Sequence, residues 1–269
     1  MAWNMRSVDH YENFPVASWL CPPHLRGAVI AIYHFARTAD DLADEGDDSP
    51  DQRLKQLAAY RLALQRACPL PNGAIHPAAA KDETDWPEVF VPLAQYIQSH
   101  ALPLACLHAL LDAFEQDVIF TRDDRRYANR DELLAYCERS ANPVGRLLLH
   151  LYGVQDAKSL QWSDAVCTSL QLINFWQDLS VDLTRGRHYL PQGSDLPAEV
   201  AFARTLMNQG AALVHRLPGR AAWELRLVVQ GGLRIIDKIE RGNPWQQRPK
   251  LVPSDWAVML WRACRMRQR

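Results

Sequence analysis

The sequence predicts an all-α protein, and three observations carry that reading. Leucine and alanine together number 69 of the 269 residues, against 31 for valine, isoleucine and threonine. The first pair suits helices and the β-branched set suits strands. Glycine is scarce, at 12, and apolar residues recur at helical spacing rather than in alternation.

The elements follow in order. A first helix is expected over 22–44, entered through Pro22-Pro23 and apolar through Ala28–Ala36. An acidic loop, Glu45 to Asp48, leads to Ser49-Pro50-Asp51-Gln52, which reads as a capping box with proline in the first turn. That helix runs to about residue 67. Pro69, Pro71, Asn72, Gly73 and Pro77 make 68–85 a surface loop. Helical patterns resume over 86–99 and 103–120. A polar break, 121–126, precedes a helix over 130–152, in which Pro143 predicts a kink. The longest pattern covers 158–184, and two more fit 197–216 and 219–241. No linker or internal repeat divides the chain, so the expectation is one domain over 1–269, a bundle of roughly eight to ten helices.

Composition narrows the function. At 48% hydrophobic residues and a net charge of −1, the chain is not disordered and has no global basic character for nucleic acid. Six scattered cysteines without a C-x-x-C pair predict buried free thiols in a reducing compartment rather than zinc or redox chemistry. No secretory signal and no apolar run of membrane-spanning length is read, so the expected location is the cytoplasm. Residues 241–269 carry seven basic residues against one acid, Asp255, with Trp256, Met259, Leu260, Trp261 and Met266 interleaved. Two readings stand for this segment. It rests on an anionic membrane surface as a peripheral contact, or it is a terminal helix packed on the bundle with a solvated basic face.

Two acidic clusters carry the chemistry. At about 100° per residue, Tyr33, Arg37, Asp40 and Asp44 fall within about 60° of one another, and Gln171, Asn174, Asp178 and Asp182 within about 80°. Each cluster sets two aspartates at i and i+4 inside an otherwise apolar helix. Such like-charge pairs destabilise a helix by a few tenths of a kcal/mol. A solvated polar face accounts for one pair; two pairs with the same spacing point instead to a divalent-metal site. Hard cations such as Mg²⁺ take a few carboxylates plus substrate phosphates, with Arg37, Arg185 and Arg187 as the nearby phosphate partners. No dinucleotide fingerprint, P-loop, G-x-S-x-G elbow or H-E-x-x-H motif occurs.

From about His10 to Trp245 these motifs resemble the squalene/phytoene synthase family. The resemblance implies an isoprenoid-synthase helical bundle with a central apolar cavity. It implies Mg²⁺ and diphosphate at Asp40-Asp41-Leu42-Ala43-Asp44 and Asp178-Leu179-Ser180-Val181-Asp182, with Asp40, Asp44, Asp178 and Asp182 as metal ligands. Tyr33, Arg37, Gln171 and Asn174 match pocket positions for substrate, His10 aligns with the pocket mouth, and Arg187 remains a candidate for the substrate's phosphates. Tyr136 matches a position near the reacting carbons and Tyr189 another pocket position; both are candidate wall residues, with Phe35 and Phe175 as further ones. Two departures, Ala141-Asn142-Pro143-Val144-Gly145 after the Tyr136-Cys137 pair and Gln177 before the second motif, resemble the bacterial hydroxysqualene synthase branch. That branch implies presqualene diphosphate as substrate, water as terminal nucleophile and hydroxysqualene as product, alongside neighbouring squalene-pathway enzymes. Asn142 becomes the candidate for placing the water. The rival enzyme reading condenses two prenyl diphosphates into presqualene or phytoene diphosphate. A non-catalytic helical assembly or membrane-interaction protein leaves both aspartate clusters unexplained.

Overall fold

A computed structural model describes residues 21–68 and 85–266. Among them are eleven α-helices: α1 Pro23–Asp44, α2 Pro50–Ala67, α3 Pro87–His100, α4 Leu104–Arg122, α5 Arg130–Ser140, α6 Asn142–Leu151, α7 Ala157–Gln177, α8 Leu179–Asp182, α9 Leu196–Gly210, α10 Gly219–Arg241 and α11 Pro253–Cys264. The described residues contain no strand. The 68–85 loop, apart from its ends, lies outside them, as does His10.

Local chemistry sets the helix ends. Ser49 and Gln52 close a reciprocal capping box, with Ser49 N–H donating to Gln52 Oε1 at 2.8 Å and Gln52 N–H to Ser49 Oγ at 3.4 Å. Asn129 and Asp156 cap α5 and α7 by one bond each, the side-chain oxygen accepting a backbone N–H at 3.0 Å. Arg53 fastens the acidic loop, donating to the carbonyls of Glu45 and Gly46 at 2.8 Å each. The chain leaving α1 just after Asp44 is therefore held.

Two long helices predicted from the sequence are interrupted. The chain over 130–152 does not kink; it breaks at Ala141, which ends α5 and precedes α6. Pro143 falls in the first turn of α6, where its missing N–H and fixed φ cost nothing. The 158–184 pattern ends as α7 at Gln177, steps at Asp178 (φ −100°, ψ 9°) and resumes as the single turn α8. A 3-10 turn, Leu183–Arg185, follows.

Two apolar clusters form the interior. The first joins α1–α4 through Phe35, Leu57, Tyr60, Phe90 and Leu107. Phe35 is fully enclosed, with its ring 5.4 Å from Tyr60 and 6.2 Å from Phe90. Its ring is thus engaged by the core that joins α1, α2 and α3. Burying each such ring contributes about 1.5–3 kcal/mol. The second joins α5, α7, α9 and α10 through Cys137, Ile173, Trp176, Met207 and Ile236. Helix α4 serves both clusters: Leu107 and Leu111 face the first, and Ala113 faces the second.

The C-terminal helix packs on α10 by Met259 and Ala263, both fully buried. Asp255, equally enclosed, pairs with Arg234 at 2.7 Å and Lys238 at 2.8 Å. Arg262 turns inward to Asp237 at 3.0 Å. The packed-helix reading thus describes the inner side of α11. No described helix is long and apolar enough to cross a membrane. All six cysteines are free, but only Cys21 and Cys137 are buried, and Cys264 is exposed on α11.

Helices α7 and α9 approach closely at Gly210. A Cβ there would lie 2.5 Å from the Trp162 carbonyl oxygen and 2.6 Å from Val166 Cγ2. Backbone cannot yield as a flexible side chain does. Gly210→Ala is therefore expected to destabilise the protein by about 1–3 kcal/mol, read as a lower Tm in thermal unfolding.

Candidate active site

The acidic residues occupy an unfavourable place. Asp40, Asp41 and Asp44 sit in the last turns of α1, and Asp178 and Asp182 flank and close α8. A helix ends in unpaired carbonyls and a negative partial charge, so carboxylates there are repelled. The last turn of α1 holds no basic residue. Cations arrive from elsewhere. Arg37 pairs with Asp40 at 3.1 Å and Asp41 at 2.6 Å. Arg187 reaches Asp44 at 2.9 Å, and Arg185 the same oxygen at 3.6 Å. Arg248 pairs closely with Asp178. Gly186, at φ +71°, turns the chain between Arg185 and Arg187 so that both face Asp44; a side chain in that left-handed conformation would be strained.

The cations do not fully balance the acids. Crowding by protein and the like charge of Asp44 push the Asp40 carboxyl up to about 7, against the pull of Arg37 and Arg187. Burial and the neighbouring Asp178 push Asp182 up to about 6, and Asp44 adds to the rise. Asp182 thus feels the charge of Asp44 and of Arg185 and Arg187, the two arginines that pair with Asp44.

The chemistry of the first cluster fits a hard divalent cation. One oxygen each from Asp40, Asp41 and Asp44 lies within 4.8 Å of the others. Asp44 Oδ2 is taken by the arginines, but Asp44 Oδ1 is enclosed and accepts no hydrogen bond. An enclosed, unpartnered carboxylate oxygen is costly unless a cation completes it. Asp41 joins this group, although only Asp40 and Asp44 were expected. Asp178 and Asp182 do not lie within it.

A second group lies beside the first. Tyr136 donates its phenolic hydrogen to Asp117 Oδ2, and Tyr189 reaches Asp117 Oδ1 at 3.4 Å. Phe175 stacks on Tyr189, with centroids 3.8 Å apart and planes 10° apart. Tyr127 meets Tyr136 at 5.9 Å and Tyr189 at 6.3 Å. Burial lifts the Asp117 carboxyl to about 7 against the hydrogen bond from Tyr136 and the charge of Arg187. Asp117, Tyr127, Tyr189 and Arg187 line one small cleft. Arg187 therefore belongs to both groups.

Sequence reasoning missed Asp117 and Arg248. Asp117 sits one turn beyond Ala113, on the side of α4 facing the second cluster, and that placement was its only local signal. Gln177, noted as a departure, donates to the Pro249 carbonyl at 2.6 Å and so holds the segment that presents Arg248. Tyr33 is half-buried, one turn before Arg37; Gln171 is half-buried and Asn174 exposed on α7. Asn142 is buried, and its Oδ1 accepts from Thr168 Oγ1 at 2.9 Å. That bond ties α6 to α7 and does not involve Asp117 or its tyrosines.

Residues 8–194 match the squalene/phytoene synthase family model. The chain belongs to that family. The hydroxysqualene synthase of Sinorhizobium fredii is 31% identical over 271 residues, covering 92% of this chain and 86% of its own. That of Rhodopseudomonas palustris is 37% identical at the same coverage. The crystal structure of squalene synthase HpnC from Alicyclobacillus acidocaldarius superposes with a TM-score of 0.69 at 33% identity, covering 86% of this chain and 89% of the other. This squalene/phytoene synthase is thus an enzyme of isoprenoid biosynthesis.

The raised Asp40 carboxyl has a consequence for stability. A carboxyl whose folded value lies above its unfolded one stabilises the fold at low pH, and that contribution is lost as pH rises towards about 7. In metal-free protein, Asp40→Asn is expected to raise Tm at pH 8, with the gain shrinking as pH falls towards 4, read by thermal unfolding with chelator present. An unchanged or lower Tm at pH 8 would mean the cations already outweigh the repulsion.

Proposed function

We propose that this enzyme converts presqualene diphosphate to hydroxysqualene in a Mg²⁺-dependent reaction. The observation that carries the reading is Arg187, which joins a carboxylate–arginine site suited to diphosphate with an aromatic group suited to a carbocation. The resemblance to hydroxysqualene synthases over most of the chain supports the choice of substrate within the family.

The residues divide the work. Arg37, Arg185 and Arg187 bind and orient the diphosphate. Asp40, Asp41 and Asp44 are the residues that would hold Mg²⁺, with Asp178 and Asp182 facing them. When bound, the metal supplies Lewis-acid neutralisation of the leaving group. The carbon–oxygen bond breaks with both electrons leaving on the diphosphate. The resulting cyclopropylcarbinyl cation rearranges beside the faces of Tyr136, Phe175 and Tyr189, which favour positive charge and exclude water. Asp117 fixes the two tyrosines by accepting their hydroxyl hydrogens. A water then adds to the cation and loses a proton, giving the alcohol. Asn142, held at the start of α6, is the residue we assign to steering that water.

Purified protein given presqualene diphosphate and Mg²⁺ without NADPH is expected to yield hydroxysqualene, identified by mass. Asp40→Asn or Asp178→Asn should lower turnover by about 10²-fold or more, the scale of losing a preorganised electrostatic group. Asn142→Ala should change the product ratio. Turnover of farnesyl diphosphate alone would overturn the choice of substrate and favour the condensing reaction.

A further inference from the structure

Helix α11 has an unusual outward side. Pro253, Trp256, Ala257, Leu260, Trp261 and Cys264 recur at i, i+3, i+4, i+7, i+8 and i+11, share one face and are all exposed. Trp256 is 40%, Leu260 48% and Trp261 55% exposed. Ser254 is the single polar residue among the exposed positions of this helix. An ordinary surface helix turns charge outward, as α2 does with Asp51, Gln52, Lys55, Gln65 and Arg66. The opposite side of α11 is already engaged by the fold, through Asp255, Met259 and Ala263.

The sequence from this stripe onward is basic. Residues 256–269 contain Arg262, Arg265, Arg267 and Arg269 and no acid. Arg262 is held inward by Asp237, whereas Arg265 lies 3.9 Å over the exposed Trp261 ring. At the same end, Arg226 donates to the carbonyls of Ala263 at 2.9 Å and Met266 at 2.6 Å and lies 5.5 Å over the exposed Trp223 ring. Tryptophan beside arginine, along an apolar stripe, suits the headgroup boundary of a bilayer, where rings enter the acyl edge and guanidinium groups meet lipid phosphate.

We propose that α11 docks this protein on an anionic membrane, lying flat with Trp256, Leu260 and Trp261 in the headgroup region and Arg265 on lipid phosphate. The inference is independent of the proposed reaction, and its test needs no turnover. The full chain would be sedimented with vesicles of phosphatidylcholine alone and of phosphatidylcholine mixed with phosphatidylglycerol. Binding is expected to the anionic vesicles, weakening as salt is raised. A variant combining Trp256→Gln, Leu260→Gln and Trp261→Gln should bind at least about tenfold more weakly. Arg265→Glu should cost about fivefold or more, the scale of one basic charge at an anionic surface. Both variants should keep the wild-type Tm, because every substituted side chain points outward. Absence of vesicle binding by the wild-type chain would overturn the proposal, as would equal binding by the stripe variant. Concentration-dependent self-association abolished by the same substitutions, without vesicle binding, would overturn it too and assign the stripe to a second copy.

Discussion

Five carboxylates stand at or beside two C-terminal ends, that of α1 and that of α7 with the single turn α8, where a helix already carries negative partial charge. Without cations the two ends would repel each other and themselves. Arg37, Arg185, Arg187 and Arg248 supply the opposing charge, and only Arg37 comes from the helix it neutralises. Tertiary structure, not local helix chemistry, makes the acidic ends tolerable. Burial, and after it the like charge of a neighbouring aspartate, still hold the Asp40 and Asp182 carboxyls high. A site left with surplus negative charge and an unpartnered Asp44 Oδ1 is primed for a cation, and the two apolar clusters offset its cost to the fold.

Much of the surrounding architecture serves this arrangement. Arg53 fixes the loop leaving α1, so Asp44 does not fray away from Arg187. Gly186 turns the chain so that two arginines converge on one carboxylate. The step at Asp178 coincides with two ties to one segment, Gln177 to the Pro249 carbonyl and Asp178 to Arg248. Two residues past Arg187, Tyr189 stacks on Phe175 and reaches Asp117. A single short stretch, 185–189, thus connects charge neutralisation to the aromatic group.

Legibility in the sequence followed the range of the interactions. The helices over 22–44 and 49–67 were readable because prolines, a capping box and an acidic loop act within a few residues. The two aspartate clusters were readable because i,i+4 spacing is local. Pro143 predicts a kink inside one helix, but the chain breaks at Ala141 and seats Pro143 in the first turn of the next helix, where proline is tolerated. The continuous stripe through Asp178 failed for a different reason: the partners at that step lie about 70 positions away, at Arg248 and Pro249. Asp117 was invisible for the same cause. Its role exists only once Tyr136 and Tyr189, 19 and 72 positions away, fold against it.

The C-terminal segment shows how composition alone leaves charge undecided. Arg262 and Arg265 are three residues apart, yet the first pairs with a buried aspartate and the second lies over an exposed indole. Register separates them: the inward positions 255, 259 and 263 put Arg262 beside the packed side, while Arg265 lies just past the last turn. In the proposed reaction the substrate loses its diphosphate, so the product is far less soluble in water than what entered. The aromatic group shields the cation from water during the reaction, and an apolar outward helix would place the protein against the phase that accepts the product. Both features answer one constraint, an apolar chain that water does not solvate.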